Sequence, residues 1–320
     1  MDNREWFKSA KFGLMIHWGL YSLPAGEWNG ARMPFIGEWV QSYFRIPNEQ
    51  YHGLANIFNP ILFRPEDWAQ LAKDAGMQYM VVTSKHHDGF ALYRSKVDRF
   101  NLHDATPFKR DAIAELAEAC YKHGLKFGLY YSQDLDWSDP NGGGYRNGHT
   151  NCNVMSWTND WDYPDNEKKN YTLCYENKIK PQLQELLTQY GDICLIWFDT
   201  PLTISVRQST ELFNMVKHYQ PHCLVNSRIG NGLGDYTSMG DNEIPDKTMS
   251  GGLFESPATL NDTWGYKSFD DNWKSADRVI ALKNHLNERG LNYLLNVGPD
   301  YLGRIPAPAE TILTEVGRNQ

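Results

Sequence analysis

Apolar residues in this chain fall into short unbroken runs separated by longer amphipathic stretches. The run at 193–198 leads into Asp199 and follows the turn residues Tyr190, Gly191 and Asp192. A run of that length predicts a strand buried on both faces, with Asp199 at its end. An ionisable group there is costly unless it is paired, so Asp199 is either satisfied by neighbours, for instance as a helix cap, or used for chemistry. Runs of the same kind occupy 12–19, 79–87, 126–132, 224–228, 236–240, 253–256 and 293–298. Helical periodicity or start and stop residues appear between them. Residues 39–44 read as helical, as do 66–75 between Pro65 and Gly76, and 111–123 with Ile113, Leu116, Ala117 and Cys120 on one face and Gly124 as the stop. Further helices are expected over 166–189 despite Pro181, over 274–289 before Gly290, and over 307–316. Residues 134–165 are rich in Gly, Asn, Asp and Trp and read as a long functional loop carrying Trp137, Trp157 and Trp161.

About eight strands alternating with helices predict a (β/α)8 barrel of the α/β class, one domain over 1–320. A doubly wound open sheet is the alternative. No Gly-x-Gly-x-x-Gly follows the first strand and no phosphate-binding Gly-Lys-Ser/Thr loop occurs, so nucleotide-binding open sheets lose ground.

Composition changes this picture in three ways. Net charge is −8 with scattered basic residues, which argues against nucleic acid or an anionic membrane as partner. Eleven Trp, 18 Tyr and 14 Phe supply aromatic faces of the kind that stack on sugar rings, although aromatics also fill large cores. Cys120, Cys152, Cys174, Cys194 and Cys223 are widely spaced without a CxxC, which predicts neither a disulfide scaffold nor a zinc cluster. The first residues enter folded-looking sequence without an apolar leader, so a cytoplasmic location is expected.

The polar residues decide the function class. His17, His86 and His87, Tyr130 or Tyr131, Asp199, Arg228, Asp241 and Glu255 lie at or just past the C-terminal ends of predicted strands, the rim on which barrel enzymes build active sites. Trp39, Trp197 and Trp264 border them, and the mixture suits a neutral polyhydroxylated ligand. Asp199 with Asp241, Glu243 or Glu255 provides the two carboxylates of a glycosidase. A metal site is disfavoured because neighbours such as His86 and His87 on a strand point to opposite faces and no HxH or HExxH spacing exists. The nucleophile elbow of a serine hydrolase is missing. A sugar-binding protein without turnover is the non-enzymatic alternative.

Seven stretches in order, 11–22, 38–39, 85–90, 128–132, 197–199, 261–266 and 295–298, resemble the family 29 glycoside hydrolases, the α-L-fucosidases. The resemblance runs from about residue 5 to 308. It implies a retaining mechanism without cofactor or metal, with Asp199 as the nucleophile. It also implies a fucose shell of His17, Glu38, His86, His87, Tyr131, Trp197 and Arg228, with Trp264 near the sugar's methyl group and Tyr130 as the alternative to Tyr131. Trp18 and Trp39 are left to packing. Asp241, 42 residues after Asp199, matches the acid/base position of some members, with Glu255 and Glu243 as rivals. Many members continue into a C-terminal β-sandwich. This sequence resembles the short bacterial α-1,6-L-fucosidases instead, sharing 133–137, 140–145 and 240–245, and a catalytic barrel without the sandwich is expected. That likeness implies a homo-oligomer acting on a fucosylated oligosaccharide, α-1,6-linked to N-acetylglucosamine, and able to transfer fucose. The α-1,2 and α-1,3/4 linkages are the alternatives.

Overall fold

The computed structural model describes residues 3–145 and 155–319; Cys152 and residues 146–154 of the long loop lie outside them. Eight parallel strands form the (β/α)8 barrel: β1 (Phe12–Ile16), β2 (Tyr79–Lys85), β3 (Lys126–Ser132), β4 (Leu195–Asp199), β5 (Leu224–Val225), β6 (Thr237–Ser238), β7 (Phe254–Thr259) and β8 (Leu291–Val297). They are hydrogen-bonded in the order β5-β4-β3-β2-β1-β8-β7-β6, and a parallel bridge from Asn226 to Tyr236 joins the two edges of this sheet. Helix α1 (Asn3–Ala10) packs against the barrel's inner layer, and outside the strands lie α2 (Pro65–Asp74), α3 (Ala112–Lys122), α4 (Lys180–Gln189), α5 (Val206–Tyr219), α6 (Ala276–Glu288) and α7 (Ala307–Arg318). Among the described residues no helix is long and apolar enough to cross a membrane.

The alternation of side chains sorts each strand into two layers. Phe12, Leu14 and Ile16 of β1 and Ile196 and Phe198 of β4 face the helices and belong to the larger core. Met15, Val81, Leu195 and Leu294 fill the barrel, and Phe7 of α1 packs in that same cluster, its ring 4.6 Å from Tyr236. The first helix, which no apolar run or start signal above predicts, thus packs onto the barrel's inner core. Gly13 faces Tyr79 inside, where an added Cβ would lie 2.4 Å from the ring.

Three expectations are corrected. Strands β5 and β6 are two residues each, shorter than the 224–228 and 236–240 runs, and the connections after them carry no α-helix. Their loops turn sharply, with Gly230, Gly232 and Gly234 at positive φ. Helix α5 falls in a stretch assigned no helix. Its signal was local: Ser205 caps it and Gln208 completes a capping box. The expected helix over 166–189 is broken up. A short 3-10 turn and Tyr171–Cys174 lead into a π segment, Tyr175–Ile179, before α4, whose first turn holds Pro181. The missing N–H of Pro181 is tolerated at that junction.

Gly13→Ala is expected to lower the unfolding free energy by about 1–3 kcal/mol, because Tyr79 cannot retreat inside a packed barrel. Chemical denaturation checks this, and wild-type stability in the variant would refute the close-packing account.

Candidate active site

A cavity of about 210 Å3 opens at the C-terminal ends of the strands, lined by His17, Glu38, Trp39, His86, His87, Tyr130, Trp197, Asp199, Arg228, Asp241 and Trp264, with Ile36, Met155, Trp157 and Thr200 at its margins. Most of the expected residues therefore converge. The choice between adjacent tyrosines is corrected: Tyr130 pairs in register with Trp197 and lines the cavity, whereas Tyr131 pairs with Phe198 and donates its hydroxyl to Gln182 at 2.9 Å on the helix side. Trp39, left to packing, lines the cavity as well, while Trp18 is buried against Phe58, Phe63 and Trp68. Of the rival carboxylates, neither Glu255 nor Glu243 lines the cavity. Glu255 is fully buried below it, and Glu243 is exposed with Oε2 accepting from Gly240 N.

Asp199 is held on several sides. Its Oδ2 accepts from the Tyr130 hydroxyl at 2.9 Å, and its Oδ1 from Arg228 at 3.1 Å. Its backbone N–H donates to Gln133 Oε1, and Gln133 Nε2 donates to the Arg228 carbonyl, so one amide fixes the spacing between acid and arginine. Thr200, next in the chain, sits at φ 50, unusual for a β-branched residue. The guanidinium of Arg228 lies 4.5 Å from the centre of the Trp197 ring and donates at once to Asp199 and, at 2.6 Å, to Asp241. Asp199 is 13% exposed and Asp241 51%, so the pair has one deep and one open member. Asn242, at φ 57, anchors the loop behind Asp241 by accepting from Thr259 N and Oγ1.

The histidines reach the cavity by a route the strand argument missed. The β2–β3 register shifts between Thr83 and Lys85, and the strand ends at Lys85, so the alternation does not extend through His86 and His87 and both line the cavity with ring centroids 4.0 Å apart. Ser132 Oγ donates to the Leu135 carbonyl and therefore accepts from His87 Nδ1, which leaves Nε2 as a lone pair 3.8 Å from Asp199. In the same way Asn296 donates to the Trp264 carbonyl and accepts from His17 Nδ1 at 2.7 Å. Burial, opposed by the Asn296 contact, lowers the His17 pKa to about 4 and lowers those of His86 and His87 as well. All three rings are neutral acceptors at pH 7, suited to hydroxyl donors. Glu38 is the converse. Burial, reinforced by Asp241 and Asp199 and opposed by the Gly265 N–H, raises its pKa to about 8, so it is a neutral acid able to donate to a sugar hydroxyl.

Behind the histidines Lys85 and Lys178 both reach Asp136 at 2.9 Å, all three buried. Burial works against the Asp136 charge, yet Lys178 and Lys85 outweigh it and hold its pKa below the usual range. Asp88 accepts from Tyr51 and from Phe90 N, so Lys85 and Asp88 of the 85–90 motif build scaffold around its two histidines. Among the described residues no group of three or more His, Cys, Asp or Glu is arranged to hold a metal ion.

Cleaving the bond between two sugars asks for a pair of carboxyls beside a pocket of hydroxyl partners and aromatic walls, and the barrel rim meets that demand. By class the protein is a barrel glycoside hydrolase. Residues 1–319 match the α-L-fucosidase family model, and the chain belongs to that family. It is 30% identical over 99% of its length to a putative α-L-fucosidase of Caenorhabditis elegans and 29% identical to the tissue α-L-fucosidase of Mus musculus; it spans 66% and 70% of their lengths. Among solved structures, α-L-fucosidase AlfC from Lactobacillus casei in complex with α-L-fucose is 55% identical, with a TM-score of 0.95 over 99% of this chain and 98% of that one. An aspartate-to-alanine variant of AlfC in complex with Fuca(1,6)GlcNAc is 53% identical, with a TM-score of 0.93 over 98% and 97%.

A raised folded pKa means that the stability from protonated Glu38 is fully present below the ordinary value of 4.5 and is lost as pH climbs through about 8. Glu38→Gln is expected to remove a decline in unfolding free energy on the order of 4 kcal/mol across that window. Denaturation at stepped pH reads the slope; an unchanged slope would show that Glu38 is ionised in the fold.

Proposed function

We propose that the chain is a retaining exo-α-L-fucosidase that removes α-1,6-linked L-fucose from N-acetylglucosamine. The observation that carries this reading is the single guanidinium of Arg228 shared by a deep carboxylate, Asp199, and an open one, Asp241. Asp199 attacks the anomeric carbon while the carboxyl of Asp241 gives its proton to the departing glycosidic oxygen. The bond to the aglycone breaks and a fucosyl ester on Asp199 forms. Asp241, now a carboxylate, takes a proton from water, whose oxygen displaces the ester and restores Asp199 with the anomeric configuration retained. A sugar hydroxyl in place of water gives transfer, and one neighbouring AlfC structure is described as a fucosyltransferase mutant. To act as acid, Asp241 has to exchange the guanidinium for the glycosidic oxygen; its exposure and Gly240 beside it permit that movement. His17, His86 and His87 accept from fucose hydroxyls, Glu38 donates, and Trp264 walls the site beside His17 at 5.3 Å.

The linkage part rests on similarity to AlfC, captured with Fuca(1,6)GlcNAc. A groove continues from the fucose cavity across the shared residues Ile36 and Met155, and its walls carry Phe35, 42% exposed, together with Asp262, Lys267, Asp270, Asp271 and Asn272. We assign the aglycone to it: an apolar ring face lies against Phe35, and amide and hydroxyl donors meet the acids.

Fucose release from Fucα1,6GlcNAc is expected to exceed release from α-1,2 and α-1,3 isomers, and Asp199→Ala to lose turnover by several orders of magnitude. Azide is expected to restore Asp241→Ala with retained configuration of the fucosyl azide. Rescue of Glu255→Ala instead would transfer the acid/base role to Glu255, and equal rates on all linkages would end the α-1,6 assignment.

A further inference from the structure

Glu255 is a full acid sealed inside the barrel one layer beneath the cavity. Both of its oxygens are engaged, Oε1 by Trp197 Nε1 at 2.9 Å and Oε2 by the Tyr79 hydroxyl at 2.7 Å, and its exposure is zero. A group so enclosed does not reach a glycosidic oxygen. What it touches is nevertheless central, because the Trp197 indole carries the Arg228 guanidinium at 4.5 Å and stacks on Tyr130 at 5.6 Å with an interplanar angle of 19°. Arg228 and Tyr130 are the two side-chain donors to Asp199.

We infer that Glu255 is a positioning residue, an anchor that fixes the in-plane orientation of Trp197 and through it the two donors that orient the nucleophile. The inference rests on the fucosidase reading above. Packing alone does not call for an acid here. A buried carboxylate is expensive to desolvate, and an apolar side chain of similar volume serves a core at least as well. The cost is visible: burial, opposed by the Tyr79 and Trp197 donors, raises the Glu255 pKa to about 7. The groups around it are Tyr79, Trp197, Tyr236, Cys194 and the cation Arg228. The indole N–H donates to Glu255 Oε1, so losing that acceptor leaves the ring's in-plane orientation to packing against Arg228 and Tyr130 alone.

The test separates an anchor from a proton donor by the leaving group. Wild type, Glu255→Gln, Glu255→Met and Asp241→Ala are compared on nitrophenyl α-L-fucoside, which departs without protonation, and on Fucα1,6GlcNAc, which does not. An anchor predicts that Glu255→Met, which keeps volume and removes both acceptors, loses kcat/KM on the two substrates by the same factor, about 10–100-fold, without azide rescue. It also predicts that Glu255→Gln, which still accepts from the indole, recovers to within a few-fold of wild type on both. Selective loss of the disaccharide in Glu255→Gln, or azide rescue of either variant, would overturn the inference, and the Gln arm decides even if Glu255→Met does not fold. Unchanged kcat/KM in Glu255→Met would overturn it as well. Wild type that cleaves neither substrate would bring down the fucosidase reading, and this inference with it.

Discussion

The contact between one guanidinium and two carboxylates organises this molecule. Arg228 bonds Asp199 and Asp241 together, and two like charges brought that close in a partly desolvated cleft repel strongly unless a cation stands between them. The arginine is itself over-determined: its carbonyl is tied to Gln133, one amino group to the Met239 carbonyl, and its face to Trp197. A charge that is fixed before substrate arrives needs no reorganisation when charge develops at the reacting carbon, which is where preorganised electrostatics has its effect.

The barrel supplies this precision through its period of two. In parallel register Tyr130 aligns with Trp197 and Ser132 with Asp199, so one strand pair delivers Asp199, its hydroxyl donor and the partner of His87 to one side. This also explains what the sequence made legible. Residues at strand ends, His17, Asp199 and the two histidines, are readable because buried strands leave few alternatives for polar groups. Tyr130 is not, since choosing between neighbours requires the pairing register, and nothing in residues 126–132 announces which partner strand they align with. The two-residue strands β5 and β6 are shorter than their apolar runs for a related reason: apolar composition sets burial, while their closure of the barrel rests on the bridge between Asn226 and Tyr236 and on the Asp235 N–H donated to the Val225 carbonyl. Helix α5 is a different case, because its Ser205–Gln208 capping box was present in the sequence.

The scaffold behind the rim shows how charge is handled where water is excluded. Lys85, Lys178 and Asp136 are buried together, and the surplus cation is met by Asp98, 2.7 Å from Lys178. Lys178 comes from the π segment that precedes Pro181, and π segments occur often at functional sites. Removing one partner from such a set leaves an unpaired buried charge, which is far more costly than never having buried the pair. This cluster joins the loops after β2 and β3 to the helix that follows. His87 shares the connection, since its carbonyl accepts from Trp137 N at 2.7 Å.

Protonation states follow from the same accounting and divide the pocket by role. Where cations stand close, the carboxyls stay paired, as at Asp136; where burial dominates, as at Glu38 and Glu255, the carboxyl is pushed toward its neutral form. Neutral histidines on one side and a neutral acid on another present acceptors and a donor to a polyhydroxylated ring without adding net charge beside Asp199. A sugar hydroxyl is both donor and acceptor, so a pocket built mainly from charged groups would bind anions and cations before it bound a neutral ring. With His17, His86, His87 and Glu38 neutral, Arg228 and the two carboxyls it bonds stand as the polar centre of the cavity.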